Sequence, residues 1–101
     1  MVFGKGGCVY IITNKEHSVL YTGVTSDLRA RVWQHQNHQH PSSFSAKYNC
    51  NKLVYYYSYA HIEDAIAAEK SIKAGNRNRK ITLVNSINPE WRDLSIELLS
   101  E

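Results

Sequence analysis

Two strand-forming runs stand close together near the start of this chain, and that closeness does most to limit its fold. Cys8 to Thr13 (CVYIIT) and Ser18 to Val24 (SVLYTGV) are rich in Val, Ile, Tyr and Thr. Four polar residues, Asn14 to His17, join them. That is a common hairpin length, so the runs are expected to pair antiparallel. If Thr13 pairs with Ser18, Tyr10 falls opposite Tyr21, and directly opposed residues share a face of the sheet. Gly23 lies two residues further along that face, where the missing side chain leaves room for a close approach. Tyrosine is also simply a good strand residue, so the pairing alone names no chemistry.

After the hairpin, TSDLRARVWQHQ (25–36) reads as a helix capped by Thr25 or Ser26, with Asp27 in its first turn. Leu28 and Val32 define its buried side. Arg31 and His35 flank that stripe, and Arg29 and Trp33 lie on the opposite flank. Arg31 is either a surface cation with Asp27 as local partner or part of a site beside the hairpin. Residues 37–51 lack periodicity and read as a loop. KLVYYYSY (52–59) is a third strand, with Tyr55, Tyr57 and Tyr59 on one face and Tyr56 on the other. These tyrosines suit either the core or stacking on bases. HIEDAIAAEKSIK (61–73) is a helix with Ile62, Ala65, Ile66 and Ile72 on one face, ended by Gly75. RNRKITLVNSIN (77–88) is another helix, stopped by Pro89, and residues 90–100 form a short helix or an extended segment. The expected class is α/β (α+β): a three-stranded, mostly antiparallel sheet flanked by helices in the order β-β-α-β-α-α. The expected organisation is a flexible lead-in over 1–7, one domain over 8–94 and a tail over 95–101.

A chain of 101 residues has room for one core and none for a separate recognition domain. It has no long apolar run, and MVFGKGG is no signal peptide, so a cytoplasmic protein without a membrane partner, and a monomer, is expected. Cys8 and Cys50 lack paired metal-ligand spacing and suggest neither a disulfide framework nor zinc. The net charge is +3. Between Lys70 and Lys80 there are five basic residues (Lys70, Lys73, Arg77, Arg79, Lys80) and no acidic one, either a solvated face or a phosphate-contacting patch.

Glu69 falls within the apolar arc of the 61–73 helix. A carboxylate there must be paired or bound to a cation, because burying it alone is very costly. Lys73, four residues on, offers an ion pair. The alternative is a metal-binding carboxylate, and one carboxylate with phosphate and waters suits magnesium. His35, His38 and His40 straddle a helix end and a loop without repeating geometry, so no histidine metal site is expected.

Taken in order, CVY (8–10), YTG (21–23), DLRARVWQH (27–35) and AAEKSIK (67–73) resemble the GIY-YIG nuclease domain. The resemblance runs from Cys8 to Leu94. It is closest to small stand-alone members related to the N-terminal catalytic domain of the excision-repair endonuclease, which the YTGVTSDL and NPEWRDL blocks particularly resemble. It implies an endonuclease that uses Mg²⁺ or Mn²⁺ to hydrolyse phosphodiester bonds by attack of water, in DNA more than in RNA, with DNA repair or processing as the expected role. A lone catalytic domain has little surface for base readout, so low sequence specificity is expected. The alternative is a nucleic-acid-binding module of the same fold with weak or lost catalysis. The family's paired tyrosines fall on Tyr10 and Tyr21, its turn glycine on Gly23, its helix arginine on Arg31, its His or Tyr on His35 and its metal-binding glutamate on Glu69. Lys73, Arg77, Arg79 and Lys80 would then contact substrate with Gly23. This chain departs from the pattern in three places. The first motif lacks its leading glycine, Val24 stands where many members carry lysine, and the repair enzyme's C-terminal Asn has no clear counterpart.

Overall fold

In the computed structural model, residues 6–37 and 48–100 are described, so residues 1–5 of the expected 1–7 lead-in and the histidines His38 and His40 lie outside the described residues. Strand β1 (Gly7–Thr13) is the middle strand of an antiparallel sheet ordered β2-β1-β3. All of its residues are buried, because helices cover both faces, and this is why CVYIIT is apolar almost without a break.

β2 (Leu20–Thr25) pairs with β1 in a register that differs from the expected one: Tyr10 lies opposite Gly23, and Tyr21 opposite Ile12. The connection is longer than four residues because Ser18 and Val19 are held by the turn. Their backbone N–H groups donate to Asn14 Oδ1 at 2.9 and 3.2 Å, and Thr13 Oγ1 donates to the Val19 carbonyl at 2.7 Å. The Arg77 guanidinium closes the same turn, donating to the carbonyls of His17 and Ser18 at 2.6 and 3.1 Å. The slip is two residues, an even number, so Tyr10, Ile12, Tyr21 and Gly23 still share one face.

β3 (Lys52–Tyr59) pairs on the other side of β1 with an irregularity between Ile11 and Ile12, which face Tyr55 and Leu53. Val54 is the extra residue, and Val54 and Tyr55 both enter the cluster around Ile11. Tyr55 is therefore core, whereas Tyr56 and Tyr57 are exposed.

Helices α1 (Leu28–Gln36) and α4 (Ser95–Ser100) cover the face that carries Tyr10 and Ile12, through Leu28, Val32, Leu98 and Leu99. The cap of α1 is Asp27, whose carboxylate accepts from the Ala30 N–H at 3.1 Å, rather than Thr25 or Ser26. Thr25 Oγ1 instead accepts from the Asp27 N–H. The segment after Pro89 resolves into α4, and Asp93 and Leu94 bond it to both backbone groups of Leu53. Helices α2 (Ile62–Ala74) and α3 (Arg77–Ile87) cover the other face. In α2 the packed arc is Ile62, Ala65, Ala68 and Ile72, while Ile66, expected among them, is 37% exposed. Gly7 admits this helix, since a Cβ there would strike Ile62 and Ala65. α3 is capped by Asn76 and ends at Asn88, whose side-chain amide donates to the Val54 and Arg92 carbonyls.

The turn also carries a pH-sensitive contact. His17, held at φ 59°, accepts from Lys52 Nζ at 2.9 Å and lies against the Trp91 ring. Burial, then the Lys52 charge, hold its pKa below its ordinary value of 6.5. The unfolded chain therefore binds a proton more readily, and stability should fall as the pH drops below about 6.5 and on through the lower folded value. His17→Gln is expected to lose less melting temperature between pH 7.5 and pH 5 than the parent. Equal losses in thermal melts would discount the contact.

Candidate active site

The face holding both tyrosines becomes a site at the free edge of β2. Tyr10 is fully buried, and its ring lies directly over Gly23, where a Cβ would strike the phenol carbon and hydroxyl. The gap expected at this glycine is thus filled by Tyr10 itself. The glycine is needed because no side chain fits beneath that ring.

Three groups surround the Tyr10 hydroxyl. It is 2.9 Å from His35 Nε2, and the Arg31 guanidinium stands close enough for its charge to act on it. The Glu69 charge is close enough to act on it as well. Burial is the largest influence and pushes the phenol up to about 12, partly opposed by Arg31 and reinforced by Tyr21 and Glu69. Tyr21 is only half-buried, with its ring edge-on to His35 at 5.9 Å between centroids. Arg31 and His35 reach this position because they share one flank of α1, four residues apart. Arg29 and Trp33, on the opposite flank, are exposed.

Glu69 and Lys73 come from α2, which packs on the other face, and Lys73 reaches Tyr21 at the edge strand. The Glu69 side chain is only 13% exposed and its Oε2 is 2.6 Å from Lys73 Nζ. The same ammonium stands 5.8 Å from the centroid of the Tyr21 ring. Lys73 is therefore at once the partner of Glu69 and a neighbour of Tyr21, a double contact that helical spacing alone does not reveal. Lys80 Nζ points to the Leu20 carbonyl at 3.5 Å, and burial, then Lys73 and Arg77, hold it below its usual range. Tyr10, Tyr21, Gly23, Arg31, His35, Glu69 and Lys73 are thus gathered in one place, with Lys80 beside them. Arg77 is turned to the hairpin carbonyls, and Arg79 is an exposed residue in the first turn of α3.

The fit of Tyr10 over Gly23 predicts a cost for any added atom. Gly23→Ala should destabilise the fold by about 1–3 kcal/mol in urea titrations, the usual range for overpacking. It should also push the phenol away from His35. A variant as stable as the parent would mean that the ring moves freely.

The chain matches the model of a family described as the GIY-YIG catalytic domain over residues 6–82. It is 37% identical to a UPF0213 protein of Clostridium perfringens over 82 residues, covering 77% of this chain and 82% of that one. A UPF0213 protein of Lacticaseibacillus paracasei is 33% identical over 72 residues, covering 71% of this chain and 80% of its relative. Among solved structures, the solution NMR structure of a UPF0213 protein from Bacillus halodurans matches with a TM-score of 0.55 at 25% identity, over 87% of this chain and 92% of that one. A GIY-YIG catalytic domain is a nuclease-type domain that acts on nucleic acid. With its three-stranded antiparallel sheet, its flanking helices and these matches, the chain belongs to the GIY-YIG family.

Proposed function

We propose that this protein is a metal-dependent endonuclease that hydrolyses phosphodiester bonds in DNA, with low sequence specificity, in repair or processing. The observation that carries this reading is the convergence of a guanidinium, two phenols and a nearly buried carboxylate at the β2 edge. Arg31 would hold a non-bridging phosphate oxygen and stabilise the charge added as water attacks. The fully buried Tyr10 is suited to fixing His35 and Arg31 rather than meeting water. Tyr21 is half-buried at the edge and is the phenol that water and a phosphate can reach, so we assign it the proton-accepting role. Lys73 and Lys80 would contact the flanking phosphates.

Glu69 is the residue that would hold the divalent ion. The described residues contain no group of three or more His, Cys, Asp or Glu side chains placed to bind a metal. One carboxylate completed by phosphate oxygens and waters instead matches the habits of Mg²⁺ or Mn²⁺. When bound, the ion would polarise phosphoryl oxygens and ease departure of the alkoxide.

The reading is tested by incubating the protein with supercoiled plasmid and with branched DNA, with Mg²⁺, Mn²⁺ or EDTA. Metal-dependent nicking is expected. The second reading, a binding module without catalysis, is favoured by the Lys73 ammonium on the Glu69 carboxylate. It predicts a shifted DNA band with no cleavage under any metal. Arg79 provides a check on the basic run: if it contacts phosphate, Arg79→Ala lowers the salt slope of DNA binding by about 1. An unchanged slope makes it a solvated residue.

A further inference from the structure

We propose that Lys73 is an exchangeable counter-ion of the Glu69 carboxylate, seated there in the metal-free protein and displaced when a divalent cation binds. Metal loading would then be the exchange of one cation for another, coupled to the substrate side of the site. The inference rests on the reading of Glu69 as the metal ligand.

The two partners of the pair differ in freedom. The Glu69 side chain is 13% exposed and Lys73 48% exposed, so the carboxylate is held by its surroundings while the ammonium has solvent to move into. Lysine is a point charge on a flexible four-carbon stem, which suits a cation that must change places. With Nζ 2.6 Å from Oε2, one oxygen of the carboxylate already carries a cation. A divalent ion ~2.0–2.1 Å from the same carboxylate would face the ammonium at close range, and the two charges repel.

The released ammonium has a place to go. Lys73 already stands 5.8 Å from the Tyr21 ring centroid, and its charge is felt at Lys80 together with that of Arg77. Three cations thus share one field beside the edge of β2, and a phosphate arriving there would draw Lys73 off Glu69. The coupling is reciprocal: metal on Glu69 frees a cation for phosphate, and phosphate frees the carboxylate for metal. Without DNA, Lys73 keeps metal affinity low.

The test uses Mn²⁺ alone, titrated into the full chain without DNA and followed by the EPR signal of free ion. Lys73→Gln and Lys73→Met, which remove the ammonium, are expected to bind Mn²⁺ about two- to fivefold tighter than the parent, the fold-change to which a partly exposed ion pair converts. Lys73→Arg should stay near the parent, because it can keep the pair. Lys70→Gln, which removes an exposed charge from the same helix, controls for net charge and should also stay near the parent. Circular dichroism checks each fold, and either of the two neutral variants suffices. If Lys73→Gln and Lys73→Met bind no tighter than Lys70→Gln while Glu69→Gln loses binding, the exchange is overturned and the metal reading stands. If Glu69→Gln binds Mn²⁺ as well as the parent, both fall.

Discussion

Arg31→Ala is expected to slow DNA cleavage by roughly 10²–10³-fold, the usual consequence of removing one transition-state donor. The guanidinium lies beside the Tyr10 hydroxyl and comes from the flank of α1 that faces the tyrosines. Affinity for uncleaved DNA should fall much less, because the contact strengthens as charge builds on the phosphate. Arg31→Lys should recover only part of the rate, since an ammonium lacks the planar fork that bridges a phosphate oxygen and a phenol. Arg29→Ala is the internal control, for Arg29 is exposed on the other flank, and near-parental rates are expected. Equal losses from the two alanine variants, in single-turnover cleavage, would remove any special claim for Arg31.

Glu69→Gln should bring cleavage down to the level seen without metal, a loss of more than about 10²-fold, while leaving the fold in place. The amide keeps the size of the carboxylate and gives up the charge that a divalent ion needs. The partner left behind, Lys73, is 48% exposed and keeps its hydration, so the melting temperature should move little. Undiminished Mg²⁺-dependent cleavage by this variant would take Glu69 out of the site.

The parts of this fold legible in the chain are those governed by alternation of apolar and polar side chains. β3 spans Lys52–Tyr59, the same limits that its composition marks, and the face shared by Tyr10, Tyr21 and Gly23 is the expected one. Their pairing was not legible, because register depends on where the turn ends. Asn14 delays that end by bonding to the Ser18 and Val19 amides, and Arg77 assists from far along the chain. The role of Gly23 was half legible: the missing side chain does admit something, and only the folded packing reveals a tyrosine ring. Ile66 fits the helical period of α2 as well as its neighbours do. It is nonetheless 37% exposed and outside the packed cluster, and a period alone does not say how much of an apolar arc its neighbours cover.

The edge of β2 has a further consequence. An edge strand offers unused backbone groups as a template on which another chain can lay down a strand, and proteins that stay dispersed must block that template. Here the obstruction is cationic. Lys80 reaches the carbonyl of Leu20, and Arg77 takes the carbonyls of Ser18 and His17 just before it. An incoming strand would have to displace both side chains and seat its own dipoles among their charges. Replacing Lys80 and Arg77 by neutral residues should therefore lower the concentration at which the protein begins to aggregate. The charges proposed to draw in a polyanion would then also hold copies of this chain apart.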